Sequence, residues 1–299
     1  MELSAYHPFR SAKAKEQYLA LYDLRAKMWP IVSESRLAET SYGQTFIRIS
    51  GSTAAEPLVL LPGAGCNSLM WAPNIEALSE CYETYAVDNI YDNGRSVYTR
   101  SLKSPDDFVN WLDELFNILA LGDNINLMGL SYGGWLASQY ALRFPNHLAK
   151  MVLLAPAATV LPLQSEFVIR IFLCLVPHRR FTRSFMYWLL EDWAHKDETS
   201  RRLVEDSADD MLMASRCFKP KAGVNPTVLE DKELQSIKVP TLYLVGENEK
   251  IYSAQKAVQR LNAIAPQIKT EIIPKAGHDL TFVQAEMVTR KVLEFLKQP

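Results

Sequence analysis

Short apolar runs alternate with longer amphipathic stretches over much of the chain. Residues 58–61 (LVLL) and 151–155 (MVLLA) are continuous apolar runs, which are typical of buried strands in a parallel sheet. Residues 105–119 instead place large apolar side chains three and four positions apart, which is the spacing of one helix face. The alternation predicts an α/β fold, in which a mostly parallel central sheet is flanked by helices on both faces.

The same two patterns predict the remaining elements of this sheet and its helices. Further strands are expected at residues 46–49, 85–88, 239–245 and 270–273. Further helices are expected at residues 68–78, 253–265 and 280–296. Apolar side chains at helical spacing also predict a helix ahead of the main fold, at about residues 14–28.

The alternation of strands and helices stops after residue 156. From residue 160 to about residue 235 no buried strand is evident, and four stretches suit helices: 167–175, 181–193, 200–218 and 226–234. We therefore predict a helical cap at residues 157–235, inserted into a core formed by residues 1–156 and 236–299. The cap is rich in aromatic residues and methionine. These side chains suit an apolar substrate pocket, although most are expected to pack between helices.

Residues 125–144 (INLMGLSYGGWLASQYALRF) predict a strand, a sharp turn and a helix, with Ser131 in the turn. The turn carries the GxSxG pattern of a nucleophile elbow, whose small neighbours let the strand and helix approach while the hydroxyl is exposed. At a helix N-terminus, free amides and the helix dipole favour developing negative charge. Such a turn can also be purely structural or cradle a phosphate, but no GxGxxG or GxxxxGK[ST] run is present.

A loop of small residues, PGAGCN at residues 62–67, follows the predicted strand at residues 58–61. Acyl transfer requires backbone amides that point at the developing oxyanion, and a loop after an early strand can supply one of them. The N–H groups of Ala64 and Tyr132 are the candidate pair. Taken alone, this loop is equally compatible with a plain glycine-rich turn.

Two consecutive strand ends near the C-terminus carry polar groups that suit catalysis. The strand at residues 239–245 leads into GENE, which contains Glu247 and Glu249, and the strand at residues 270–273 leads into PKAGHD, which contains His278. Functional groups gather at the carboxyl ends of strands in open α/β sheets. A histidine titrates near neutral pH and can accept the proton of a serine hydroxyl.

Four segments in this order, LVLLPGAG, GLSYGGW, LYLVGENEKIY and PKAGHD, resemble the α/β-hydrolase fold family. The resemblance covers about residues 46–295 and implies a catalytic triad of Ser131, Glu249 and His278. It also implies an oxyanion hole formed by the amides of Ala64 and Tyr132, with Glu247 as the alternative triad acid.

Two positions depart from the family pattern. Proline stands at residue 62, where the family commonly has a histidine that braces the loop, and glutamate stands where the triad acid is usually aspartate. The first change removes a backbone donor and an imidazole from the oxyanion loop. The second adds one methylene, so the acid loop is expected to lie slightly further from the histidine.

The resemblance implies a carboxylesterase-like serine hydrolase that cleaves a small, largely apolar ester-like substrate through an acyl-enzyme. Serine rather than aspartate at the elbow disfavours the haloalkane-dehalogenase and epoxide-hydrolase branches. Lactonase, thioesterase, C–C hydrolase and perhydrolase activities stay open, as does non-catalytic binding of a small apolar ligand. This chemistry requires no metal and no organic cofactor.

Composition and charge constrain the partners. The 299 residues are 48% hydrophobic and 22% charged, so the chain can bury a sizeable core. A formal net charge of −2 provides no basic surface for nucleic acid. The four cysteines have neither the spacing of a zinc site nor that of a disulfide framework.

Targeting signals are not evident in the sequence. Residues 1–29 carry charges throughout and lack the apolar stretch of a signal peptide. The longest apolar run outside the predicted strands, residues 167–176, is much shorter than the ~20 residues that a membrane span needs. We therefore expect a cytoplasmic protein without a membrane span, as a monomer or a homodimer.

Overall fold

A nine-stranded sheet runs through the residues that the computed structural model describes, 8–298. Residues 1–7 and residue 299 of the predicted core lie outside this range. The strands are β1 (Glu34–Thr40), β2 (Gly43–Ser50), β3 (Pro57–Leu61), β4 (Glu83–Val87), β5 (Val97–Tyr98), β6 (Ile125–Leu130), β7 (Leu148–Leu154), β8 (Thr241–Gly246) and β9 (Ile268–Ile273). Their order is β1-β2-β4-β3-β6-β7-β8-β9, and β5 pairs with β2.

Helices connect these strands and cover the sheet. Those within residues 8–298 are α1 (Ala12–Ala26), α2 (Ala72–Ser79), α3 (Pro105–Ile118), α4 (Tyr132–Arg143), α5 (Ser165–Leu173), α6 (Arg179–Leu189), α7 (Glu191–Lys196), α8 (Glu198–Cys217), α9 (Asp231–Ser236), α10 (Ala254–Ile264), α11 (Leu280–Val283) and α12 (Ala285–Leu296). None of these described helices combines the length and the apolar character needed to cross a bilayer.

The parallel part of the sheet forms the centre of the molecule. Strand β2 pairs antiparallel with β1, β4 and β5, whereas β4-β3, β3-β6, β6-β7, β7-β8 and β8-β9 are all parallel pairs. Every residue of β6 and of β8 is buried, which explains their continuous apolar sequences. The predicted α/β class with a mostly parallel sheet is confirmed.

Helix α3 illustrates how local sequence defines the helices that cover this sheet. The Ser104 side chain accepts from the Asp107 N–H, and Asp107 accepts from the Ser104 N–H, which forms a capping box with Pro105 in the first turn. The apolar stripe that follows, including Phe108 and Trp111, is fully buried. Capping and periodicity therefore agree on where this helix begins and which face it buries.

The structure differs from the sequence-based prediction at several elements near the N-terminus. Strand β1 is not predicted because its sequence, ESRLAET, is polar and buries only Ala38. Helix α1 begins two residues before the predicted helix at about 14–28 and ends at residue 26. Of the apolar residues in the predicted helix at about 14–28, Tyr18 and Tyr22 are buried, whereas Leu24 and Met28 are exposed. Propensity and spacing identify the helix, but they do not show which of its apolar side chains are buried against the rest of the fold.

Helices α5 to α9 all lie between β7 and β8, in the segment 157–235, which we call the helical segment. The predicted helix at 181–193 is two helices, α6 and α7, and most of the predicted helix at 226–234 is irregular chain ahead of α9. Among its aromatic side chains, Phe185 and Trp193 are buried, while Phe172 is 66% exposed. The division of the chain into a core and a cap domain stays a prediction.

Candidate active site

Ser131 occupies the turn between β6 and α4 with a backbone conformation that is rare for a residue with a side chain. Its φ is 53° and its ψ is −116°. The Ser131 N–H donates to the Leu154 carbonyl at the end of β7 (2.9 Å), and the Ser131 carbonyl accepts from Ala157 N–H (3.0 Å). These bonds hold the strained turn, which places the serine at the N-terminal end of α4.

Close backbone approaches explain the glycines on both sides of Ser131. A β-carbon on Gly129 would lie 2.2 Å from the Gly133 carbonyl oxygen, and one on Gly133 would lie 2.3 Å from the Leu61 carbonyl oxygen. A β-carbon on Gly63 would lie 3.5 Å from the β-carbon of Ser131. The loop after β3 therefore lies directly beside the serine, and helix α4 packs tightly against both.

His278 and Glu249 form a buried pair in the loops that follow β9 and β8. The Nδ1 atom of His278 lies 2.9 Å from Oε2 of Glu249. The other carboxylate oxygen, Oε1, accepts from the N–H groups of Lys250 (2.8 Å) and Ile251 (2.9 Å), and the Glu249 side chain is 0% exposed. Both oxygens of the carboxylate are thus engaged, which fixes the orientation of the imidazole.

Glu247, the alternative acid, has a different environment. Its Oε2 atom accepts from the Lys275 N–H at 3.1 Å, and the residue is exposed. The two loops are joined by backbone hydrogen bonds, from Glu247 N–H to the Ile273 carbonyl and from Asn248 N–H to the Ala276 carbonyl. Their alignment brings Glu249, and not Glu247, to the imidazole of His278.

Ser131, Glu249 and His278 all follow the carboxyl ends of parallel strands, β6, β8 and β9, and so lie at one edge of the sheet. Within residues 8–298 no hydrogen bond joins the hydroxyl of Ser131 to His278. Catalytic hydrogen bonds are often long before substrate binds, so the arrangement is compatible with a serine–histidine pair. Ser131 is 9% exposed and His278 is 6% exposed.

Electrostatics favour the protonated form of His278. Burial lowers the pKa of His278, but the negative charge of Glu249, the hydrogen bond to it and the charge of Asp279 outweigh burial, so the pKa is raised. Burial raises the pKa of the neighbouring Asp279 to about 6, against the effect of its bonds from Trp193 N–H (2.7 Å) and Gly277 N–H (3.0 Å). Asp279 therefore holds the histidine loop and does not act as its acid partner.

The candidate oxyanion donors adjoin the two residues that are in contact in this region, Gly63 and Ser131. Ala64 follows Gly63 in sequence, and Tyr132 follows Ser131. A hydrogen bond from Cys66 N–H to the Gly63 carbonyl (3.1 Å) closes a tight turn, in which Ala64 is exposed. Tyr132 is the first residue of α4, and its hydroxyl donates to the Val224 carbonyl at 2.9 Å. Both amides are therefore near the serine without belonging to the sheet.

Three polar residues at this edge of the sheet make contacts that the sequence does not predict. Asp92 accepts from the Gly65 N–H at 2.9 Å. Its loop, residues 88–96, is rich in Asp and Asn, whose side chains usually bond to nearby backbone groups of the same loop. Asn248 donates from Nδ2 to both carboxylate oxygens of Asp192 in α7, at 3.1 and 3.0 Å. Residues 192 and 248 are 56 apart in sequence, so no local pattern could pair them. In the described chain, no cluster of three or more His, Cys, Asp or Glu is arranged to hold a metal ion.

These features of fold and site agree with a comparison against protein families. The model of the alpha/beta hydrolase family matches residues 58–290, which include the serine turn and the loops of the acid and the histidine. The chain belongs to this family.

Individual relatives lie within the same family. The chain is 32% identical to carboxylesterase YbfK of Bacillus subtilis over 288 residues, covering 96% of each chain. It is 34% identical to a second Bacillus subtilis protein, the uncharacterized carboxylesterase nap, covering 93% of this chain and 92% of the relative. The crystal structure of naproxen esterase from Bacillus subtilis superimposes with a TM-score of 0.87 at 32% identity, covering 99% of this chain and 100% of that one.

Proposed function

We propose that this protein is a serine hydrolase of the carboxylesterase type that cleaves small ester substrates. The observation that carries the proposal is the strained φ of 53° at Ser131, in a turn at the same sheet edge as a buried histidine–glutamate pair. A non-glycine residue is held in this conformation only where the surrounding structure enforces it. Relatives named carboxylesterase, at 32% and 34% identity over nearly the whole chain, support the same reaction class.

The proposed reaction begins when His278 accepts the proton of Ser131, and the serine oxygen attacks the ester carbonyl. Glu249 holds the imidazole through Nδ1, so Nε2 is free to exchange the proton, and the carboxylate stabilises the imidazolium that forms. The amides of Ala64 and Tyr132 stabilise the oxyanion. The imidazolium then protonates the leaving alcohol, and a water molecule activated by His278 releases the acid product from Ser131.

We propose that the helical segment, residues 157–235, acts as a cap over this site. Three contacts support this role: Trp193 N–H donates to Asp279, Asp192 accepts from Asn248, and the Val224 carbonyl accepts from Tyr132. The segment thus touches the histidine loop, the acid loop and the residue after the serine. Its apolar and aromatic side chains suit a small, largely apolar substrate. A cytoplasmic location and a monomeric or homodimeric state stay predictions from the sequence.

Active-site labelling tests the proposed nucleophile. We expect a fluorophosphonate probe to modify Ser131, as mapped by peptide mass spectrometry, because the probe reacts only with an activated serine. In Ser131→Ala, labelling should vanish and hydrolysis of p-nitrophenyl acetate should fall by about 10³-fold or more.

The matched control is Ser236→Ala, which removes another hydroxyl at the exposed end of α9. It should leave labelling and turnover unchanged. A folded wild-type protein that resists the probe, hydrolyses no ester and still binds apolar ligands would instead support the non-catalytic alternative. If the wild-type protein is labelled and active, a panel of esters with different acyl chains would report the depth of the substrate pocket.

A further inference from the structure

The oxyanion loop lacks the support that the family pattern supplies at residue 62, where this chain has proline. A tight turn forms from Gly63 to Cys66, closed by the 3.1 Å hydrogen bond from Cys66 N–H to the Gly63 carbonyl. Gly65 is the third residue of this turn and has a φ of +76°, close to the value of about +80° in type II turns. Only the orientation of the Ala64–Gly65 peptide plane distinguishes this turn from a type I turn.

Asp92 fixes that peptide plane from outside the loop. Its Oδ2 atom accepts from Gly65 N–H at 2.9 Å, and its Oδ1 atom accepts from Asn93 N–H at 2.8 Å. The Asn93 side chain adds a longer contact of 3.5 Å to the Gly65 carbonyl. A flip of the Ala64–Gly65 peptide would break the bond to Asp92 and rotate the backbone next to the Ala64 N–H.

Lys221 of the helical segment places a positive charge near this carboxylate. Its Nζ atom is buried, has no hydrogen-bond partner in the described chain, and lies over the rings of Tyr91 (4.8 Å) and Tyr98 (5.4 Å). Burial raises the pKa of Asp92 above its ordinary value, and the charge of Lys221 and the amides of Gly65 and Asn93 limit this rise without cancelling it. The lysine therefore reduces the cost of keeping a charged carboxylate beside the loop.

We propose that Asp92 is a positioning residue for the oxyanion hole: by holding the Gly65 N–H, its carboxylate keeps the Ala64 amide directed at the substrate oxyanion. In this role it replaces the histidine brace that Pro62 cannot provide. The inference rests on the proposed function, because it needs Ala64 to act as an oxyanion donor. Displacement of a single donor is expected to affect the transition state more than the bound substrate.

The decisive variant is Asp92→Leu, which has similar shape but neither acceptor nor charge. We expect kcat for p-nitrophenyl acetate to fall by about 10²-fold, with KM within about twofold, because one oxyanion donor is misplaced. The inhibition constant of a trifluoromethyl ketone, whose adduct with Ser131 carries an oxyanion, should rise by the same factor. Asp123→Leu is the matched control, since residue 123 has an 82% exposed side chain away from the site, and it should change neither constant.

Normalisation to active sites separates positioning from simple support of the fold. If Asp92 only supported folding, Asp92→Leu would lower the thermal midpoint and the fraction of protein labelled by fluorophosphonate. It would then leave kcat per labelled site and ketone affinity unchanged, and the proposal would be wrong.

Asp92→Asn provides the test if the leucine variant does not fold. The two N–H groups bind different oxygens of Asp92, and an NH2 group replaces one of them in this variant, so the hold on the loop is weakened and both constants should change in parallel by about tenfold. Unchanged constants would overturn the proposal.

Failure of this inference can be distinguished from failure of the proposed function. A wild-type protein without Ser131 labelling and without ester hydrolysis would contradict the function itself. A wild-type protein that is labelled and active, together with a fully active Asp92→Leu variant, would contradict only the role of Asp92.

Discussion

The ionisation of His278 is the residue-scale property on which the proposed chemistry depends. The neutral imidazole accepts the serine proton, so activity should rise with pH as His278 loses its charge. Because Glu249 and Asp279 raise the pKa of His278 against the effect of burial, the midpoint of kcat/KM should lie above the ordinary value of about 6.5. A rate–pH profile for p-nitrophenyl acetate measures this midpoint directly, and a flat profile between about pH 5 and pH 8 would exclude His278 as the base.

Glu249→Gln tests the source of this shift. Loss of the carboxylate charge removes the main effect that raises the pKa of His278, so burial should lower it and the midpoint should move to lower pH. The maximal rate should fall by about 10³- to 10⁴-fold, because the amide can stabilise the wrong tautomer of the imidazole and cannot balance its charge. The matched control is Glu247→Gln, two residues away on the exposed side of the same loop, which should keep both rate and midpoint.

At the scale of elements, the junction of β6 and α4 depends on the absence of side chains at Gly129 and Gly133. Gly129→Ala would place a β-carbon 2.2 Å from the Gly133 carbonyl oxygen, so strand or helix would have to move. We expect the free energy of unfolding to fall by about 3 kcal/mol, measured by urea denaturation. Gly223→Ala is the control, since its β-carbon meets no atom within 4 Å, and it should change stability by less than about 0.5 kcal/mol. Equal stabilities for the two variants would contradict this account of the elbow.

At the scale of the whole molecule, helix α7 joins the helical segment to the loops that carry the acid and the histidine. Asp192 accepts from Asn248, and its Oδ2 atom would lie 3.4 Å from a β-carbon on Gly277. Asp192→Ala should therefore loosen both loops. We expect kcat/KM to fall by up to about tenfold and the melting temperature to fall by about 2–4 °C, as for the loss of one hydrogen bond in a chain of this size.

Glu198→Ala is the matched control for this junction. Glu198 lies on α8 in the same helical segment, and among residues 8–298 its ion pairs are with the neighbouring arginines Arg201 and Arg202 at the surface. Exposed ion pairs contribute little, so activity and melting temperature should stay unchanged. A change of the same size in both variants would show that any acidic residue of the segment has this effect, and would contradict a specific junction through α7.

Local chemistry explains which parts of the fold and site could be predicted from the sequence. Buried parallel strands need continuous apolar runs, and an elbow needs glycine on both sides of its serine, so β6, α4 and Ser131 are evident in a single stretch. The class of fold follows from the regular alternation of such runs with helical stripes. Strand β1 is missed because an edge strand with one buried residue need not be apolar. The acid could be limited to Glu247 or Glu249, since both occupy the loop after β8.

The sequence by itself thus determined the α/β class, the serine turn and the candidate loops, because each depends on residues that are close together in the chain. Only the tertiary structure decided that Glu249 contacts His278, that Asp92 accepts from Gly65 N–H in the loop after β3, and that α7 bridges the loops that carry Glu249 and His278. Those contacts join segments 27 to 86 residues apart, and they depend on the register of β8 against β9 and on how loops meet across the sheet edge. Such registers are set by packing of the whole molecule, which no local pattern records.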